Sequence, residues 1–433
     1  MKINWVQSML HKERLSIVII TCSLIFSGIF LFNACESNIT GSDIGPSGEL
    51  PRELAASEKA LIEADQFFSY KLFRKTVEMD SESENLMISP LSISMALSMT
   101  LNGAQGQTYD DMREALYLSG MDMEEINETF QSLIELLSTV DPEVTFMIAN
   151  SIWYRDGLPV EEDFLERVKT YYGAEVSGLD FNDPASVDII NEWVIQNTDG
   201  LIEEIVEEIP DDLVMYLINA LYFQGDWLRQ FDVENTQKAD FNLETGETVE
   251  VEMMRQDGLF ATYMSNEVQM IELPYGDSLF SMTVMMPADP NMPIDQFIEE
   301  EISAESLNTW RSNLSVDNRE ATVNLPKFEL EYEIEYKDIL KAMGMEIAFN
   351  EFEADFLGIA DMRPKNLYID HVTHKTFIRV DEEGTEAAAV TSVGMIPTSM
   401  PPQMIVNRPF VYIIYERVSG TNLFMGKVKN PSL

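Results

Sequence analysis

Side chains do chemistry as a nucleophile with its base or as ligands to a metal, and histidine is the usual base and a common ligand. The 433-residue chain has three histidines, His11, His371 and His374. His11 falls in an N-terminal stretch that reads as an export signal, which leaves one pair. His371 and His374 lie three apart, and residues 376–380 (TFIRV) after them have strand character, in which positions three apart face opposite ways. That spacing does not suit a shared metal, so no metal, no cofactor and no catalytic residue is expected. What stands out instead is a break in composition. Between Ala387 and Met400 the chain reads AAAVTSVGMIPTSM with no charged residue, in a protein that is 24% charged.

From Gly384 to Ile396 no proline interrupts this stretch, so every residue can donate a backbone hydrogen bond to a sheet. Pro397, Pro401 and Pro402 close it. As a strand it places Thr385, Ala387, Ala389, Thr391 and Val393 on one face and Glu386, Ala388, Val390 and Ser392 on the other. One set is small and mostly apolar, and the other keeps its only charge at one end. Left exposed, such a run invites aggregation. On these residues alone it is either an ordinary buried strand followed by a proline-rich turn or a segment kept for insertion between other strands.

The rest of the chain must position this segment. With 75 acidic against 28 basic residues the net charge is −47, which excludes nucleic acid as a partner, because phosphate binding needs a basic face. Such a surface also serves as a solvated shell that keeps the protein soluble. The two cysteines, Cys22 and Cys35, both lie in the first 35 residues, so the folded part is expected to have no disulfide. Lys2, Lys12 and Arg14 precede an apolar run at residues 15–32, which ends at Asn33, Ala34 and Cys35. A small residue before a cysteine at the end of such a run resembles a bacterial lipobox, with cleavage after Ala34 and a lipid on Cys35, although Phe32 stands where leucine is usual. Eighteen apolar residues are also just enough for an uncleaved anchor helix. Either way the protein is exported and held on a membrane, on its periplasmic or extracellular side. Residues 1–34 are thus a lipoprotein-type signal peptide, 35–53 a flexible tether rich in Ser, Gly and Asp, and 54–433 one folded domain. Helical periodicity marks residues 54–77 and 90–102, and strand patterns mark 213–223, 279–286, 322–325, 376–380 and 410–415, which together indicate an α+β architecture.

Glu382, Glu383, Gly384, Thr385, Glu386, Ala387, Ala388 and Ala389 (EEGTEAAA) resemble the hinge of inhibitory serpins, the serine protease inhibitor family. The resemblance extends in order through NLMISPLSISMALSMTLNGAQGQT from Asn85, NSIWY from Asn150, INALYFQGDW from Ile218 and ELPY from Glu272. It continues through LPKF from Leu325, ADF from Ala354, His374 with Lys375, NRPF from Asn407 and FMGKV from Phe424. It implies helices packed around large, mostly antiparallel sheets, with an exposed, insertable reactive loop at about residues 382–402. A target serine protease, or a papain-like cysteine protease, cleaves that loop and is trapped as its acyl-enzyme when the hinge side inserts into the sheet. Loop insertion by serpins is itself a standard instance of strand addition.

Counting from the hinge as in that family sets the reactive bond between Thr398 and Ser399. The short side chain of Thr398 suits an elastase-like or subtilisin-like target, and no Lys or Arg between Gly384 and Asn407 invites a trypsin-like one; Met395 is a second possible site. By the same resemblance Ser89, Ser92, Asn219 and His374 form a shutter beneath the sheet, and Trp227, Lys327 and Glu382 a breach where the loop enters. Acidic residues at 122, 124, 125, 128 and 135 replace the basic helix that binds heparin in many animal relatives, so heparin is not an expected partner. The protein is expected to be a monomer. The rival reading is a non-inhibitory serpin that binds or chaperones, but such members carry bulky, charged or proline residues in the hinge, unlike residues 385–389 here.

Overall fold

Helices cluster early because the first third lacks long β-branched runs and carries apolar residues at helical spacing: α1 (Ala56–Met79), α2 (Pro90–Leu101), α3 (Gly106–Ala115) and α4 (Met123–Leu137). The computed structural model describes residues 49–385 and 403–433, apart from residues 201, 203, 212 and 317–319. The expected signal peptide, Cys35 and most of the tether lie outside the described residues, as do Glu386, Ala387, Ala388, Ala389, Thr398 and Ser399.

α2 starts where the sequence provides a cap: Ser89 Oγ accepts from Ser92 N–H, and Pro90 occupies the first turn, where a missing N–H is not needed. α4 starts at Asp122, whose carboxylate accepts from Glu125 N–H (2.9 Å). Its Glu124, Glu125, Glu128 and Glu135 face solvent. Five more helices follow among the described residues, α5 (Glu162–Tyr172), α6 (Ala185–Asn197), α7 (Ile294–Glu300), α8 (Ala304–Ser312) and the short α9 (Lys337–Leu340).

The strands form mostly antiparallel sheets. The largest orders β1 (Asn85–Ile88), β17 (Asn422–Val428), β16 (Phe410–Glu416), β9 (Phe280–Pro287), β8 (Val268–Pro274), β7 (Ala261–Met264) and β10 (Ser315–Val316). β9, β16 and β17 are buried along their whole length, and the polar residues they carry, Ser281, Thr283, Glu416, Asn422 and Lys427, are buried with them. A second sheet orders β15 (Gln403–Ile405), β11 (Ala321–Pro326), β6 (Thr248–Gly258) and β5 (Gln237–Asn242). The remaining strands make two groups: β12 (Phe328–Glu335) with β13 (Thr373–Val380), and β14 (Gly384–Thr385) with β4 (Met215–Asp226), β2 (Val144–Arg155) and β3 (Glu175–Leu179). β4 runs past the expected end at residue 223 because its ladder with β2 continues to Gly225 opposite Val144.

The folded body begins a few residues before the expected boundary at residue 54. Leu50 packs against the core, and Arg52 bridges two helices, donating to both carboxylate oxygens of Glu58 on α1 (2.6 and 2.7 Å) and to Ser132 Oγ on α4 (2.7 Å). Glu58 is 1% exposed. The Arg52 guanidinium, opposed by burial and helped by Ala55 N–H and Ser132, holds its carboxyl down at about 2. Arg52→Ala leaves a buried carboxylate without its cation, so a loss of about 2 kcal/mol is expected at pH 7. A carboxyl depressed in the fold contributes stability above its unfolded value near 4.5 and loses it as pH falls toward 2. Melts of the two proteins should therefore differ clearly at pH 7 and less at pH 3.

Candidate functional site

The site is the seam between β4 and β13. Among the described residues these strands are not hydrogen-bonded to each other, yet they flank common voids: Leu221, Tyr222 and Phe223 meet Phe377 and Ile378 across one, and residues 215–219 meet His374 and its neighbours across a larger one of about 650 Å³. The order of these contacts shows that β4 and β13 run in the same direction. The floor of the larger cavity is α2, and the segment after α6 adds Ile205 and Val206 to its wall.

At the mouth of the seam the chain leaves β13 and reverses. Asp381 N–H donates to Gly384 O (3.2 Å) and Glu383 N–H to the Asp381 carboxylate (3.0 Å), closing a tight turn. The reversed chain then pairs antiparallel with β4, Gly384 opposite Asp226 and Thr385 opposite Gly225. Gly384 has φ 146°, and a Cβ there would lie 2.4 Å from Gly225 O and 2.6 Å from Asp226 Cα, so only glycine fits. Trp227 holds this turn with both of its donors: its backbone N–H reaches Glu383 O (2.9 Å) and its indole N–H reaches Asp381 O (2.9 Å). The indole is in turn stacked on Tyr275, centroids 4.4 Å apart at 14°. Glu382 receives Lys327 Nζ (2.8 Å) and Thr236 Oγ1 (2.6 Å). Burial pushes its carboxyl up, but Lys327 and Thr236 outweigh that and hold it below the ordinary range. Trp227, Lys327 and Glu382 thus meet in one network.

The second set gathers on the floor. Ser89 N–H donates to His374 Nε2 (2.9 Å), and Ser92 Oγ–H donates to Asn219 O (3.5 Å). His374 on β13 and Asn219 on β4 are therefore linked through the first turn of α2. Asn219 Nδ2–H also donates to Asn150 Oδ1 (2.6 Å) on β2, directly opposite in register, while its own Oδ1 is buried and finds no partner among the described residues. Asn150 was not singled out from sequence, although it opens the NSIWY motif. Thr376 was likewise passed over; its hydroxyl donates to Met87 O (2.8 Å) and ties β13 to β1. The other histidine of the pair, His371, lies outside β13 beside Asp370 (3.4 Å). No group of His, Cys, Asp and Glu among the described residues could hold a metal, and no helix there is long and apolar enough to cross a membrane.

The site is thus a seam between two strands that run in the same direction in different sheets, with a tight turn pairing Gly384 and Thr385 onto one of them. The family model described as serpin (serine protease inhibitor) matches residues 63–431, and the chain belongs to that family. Human neuroserpin is 37% identical over 369 residues, covering 81% of this chain and 87% of the relative. An uncharacterized serpin-like protein of Thermococcus kodakarensis is 33% identical, covering 86% of each. Among solved structures, the thermophilic serpin tengpin in its native state superposes with a TM-score of 0.78 at 30% identity, over 89% of this chain and 97% of that one. Human thyroxine-binding globulin in complex with thyroxine gives 0.79 at 28% identity, over 87% and 100%. Serpins are mostly serine protease inhibitors and not enzymes, though some, thyroxine-binding globulin among them, do not inhibit.

His374 is 6% exposed, and burial pushes its imidazole down to about 3, so at neutral pH it is uncharged and free to accept from Ser89. An unfolded histidine takes up its proton near 6.5. Stability from this residue is therefore full above that value and is lost as pH falls toward 3. His374→Gln keeps an acceptor but not the titration. The variant should melt below the wild type at pH 7.5, with the difference narrowing by pH 4.5; a constant difference would show that His374 is not buried neutral.

Proposed function

We propose that this protein inhibits serine proteases as a suicide substrate, with residues 384–395 inserting into the seam between β4 and β13. The observation that carries this reading is the antiparallel pairing of Gly384 and Thr385 with Asp226 and Gly225 after the reversal at Asp381. Continued one residue at a time, that register sets Met395 opposite Met215, so the insert spans the whole 12-residue length of β4. Pro397, which has no N–H, falls just beyond the end. Thr385, Ala387, Ala389, Thr391, Val393 and Met395 come to share the face of Phe223, Leu221 and Asn219 toward α2. Thr391 stands opposite Asn219, where its hydroxyl supplies the donor that Asn219 Oδ1 lacks. Glu386, Ala388, Val390 and Ser392 turn to the other face. A dozen residues, each adding about 0.5–1.5 kcal/mol of net hydrogen bonding, release on the order of 10 kcal/mol.

Thr398–Ser399 is the bait bond in this reading. Cleavage there leaves three residues, Ile396, Pro397 and Thr398, beyond the inserted strand to carry the attached protease past the end of β4. Cleavage at Met395 would bring the protease to the end of the strand with no such arm. Ser89, Ser92, Asn219 and His374 act as the shutter, a polar floor over which β4 and β13 part, and Trp227, Lys327 and Glu382 as the breach that starts insertion. A shared fold with thyroxine-binding globulin means that fold alone does not carry inhibition; the small, uncharged composition of residues 387–393 does. Export and a lipid on Cys35 complete the proposal, with the tether holding the inhibitor at a membrane surface.

Incubation with pancreatic elastase or subtilisin should give a covalent complex that survives boiling in detergent, with release of a fragment that begins at Ser399. Thr385→Arg places a charge on the core-facing side at the first step of insertion, and should turn the inhibitor into a substrate that is cleaved while the protease stays active. Cleavage of the wild type with full protease activity retained would sink this reading. For the anchor, Cys35→Ser should move the expressed protein from the membrane to the soluble fraction; retention on the membrane would favour an uncleaved helix.

A further inference from the structure

Several carboxylates gather at the mouth of the seam. Asp226 ends β4, and the pairing of Gly384 with it draws the turn carrying Asp381, Glu382 and Glu383 against the same place. Glu143, just before β2, adds a further carboxylate to its field. The turn after β8 packs here too, Gly276 N–H donating to Asp226 O (2.9 Å), and it carries Asp277 beside Asp141. The cation at this corner, Lys327, is bonded to Glu382 and lies 3.9 Å from Glu252. For its own charge Asp226 has a weak partner, Gln230 Nε2–H at 3.4 Å.

We propose that this acidic mouth is an electrostatic brake on loop insertion, with the charge of Asp226 as its centre. The proposal rests on the inhibitory reading above and concerns how fast the strand enters. The β14–β4 pairing already seats Asp381 and Glu383 near Asp226, and a further carboxylate brought to this corner meets like charge, which resists by an amount that falls with salt and with protonation. Burial, together with Glu383, Asp381 and Glu143, already raises the Asp226 carboxyl above its usual range. The next residue in the chain after Thr385, Glu386, adds another carboxylate as pairing proceeds. Insertion is therefore slow where Asp226 is ionised and salt is low, and quickens as pH falls or salt rises. For a serpin this sets a functional ratio, because a slow insertion lets the acyl-enzyme hydrolyse and wastes the inhibitor.

The test compares wild type with Asp226→Asn, using the full chain and subtilisin, at pH 5.5 to 8.5 and at 20 and 500 mM NaCl. The readout is the number of inhibitor molecules consumed per protease trapped. Comparing two inhibitors against one protease at each pH cancels the pH dependence of the protease itself. At pH 8 and low salt the wild type should waste roughly three- to tenfold more inhibitor than the variant. The difference should shrink in 500 mM NaCl, where screening weakens the brake. Glu383→Gln, which removes a neighbouring charge without touching β4, should give a smaller change of the same sign. Trapping by both proteins with the same ratio at every pH and salt would overturn the brake alone. No trapping by either would overturn the inhibitory reading and the brake with it.

Discussion

The rest of this structure depends on a ladder that is not closed. β4 and β13 run side by side in the same direction, each fully paired on its outer edge, β4 with β2 and β13 with β12, and they are not hydrogen-bonded to each other. Strand edges demand partners, because backbone N–H and C=O groups lose water when covered. Here the seam between β4 and β13 is left open in this way. The large β9–β16–β17 core, buried on both faces, supplies the rigid base against which the seam is kept.

Two polar clusters line the seam, and each follows from a different need. On the floor, His374, Ser89, Ser92, Asn219 and Asn150 use backbone and side-chain donors to satisfy groups that an apolar packing would have left stranded. At the mouth, Trp227 fixes the reversing chain through two hydrogen bonds to main-chain carbonyls, and Gly384 allows the backbones to approach as no other residue could.

Charge adds a second layer of control. A net charge of −47 could be a uniform solvating shell, and on α4 it behaves as one, with the acids turned outward. At Asp226 the same composition has a different meaning, because neighbouring carboxylates share a half-buried corner whose cation is taken by Glu382. Identical residue types thus face solvent in one place and crowd a half-buried corner in another.

The sequence by itself determined a good deal here. Helix starts such as Ser89–Pro90, the apolar runs of β9 and β16, the uncharged stretch after Glu386 and the ordered motifs from Asn85 to Val428 are local patterns, written in capping chemistry, side-chain period and composition. Residues that were grouped by motif, Lys327 with Glu382 and Ser89 with His374, do meet in space. What only the tertiary structure decided concerns partners far apart in the chain. No local pattern shows that Asn219 faces Asn150 and keeps an orphaned Oδ1, or that Thr376 reaches Met87. Nor does any show that Asp226 shares its corner with Asp381, Glu383 and Glu143, or that Leu50 and Arg52 already belong to the folded body. Pattern encodes which face a residue presents, whereas contact between strands 70 or 150 residues apart depends on sheet register, which is set by the packing of the whole chain.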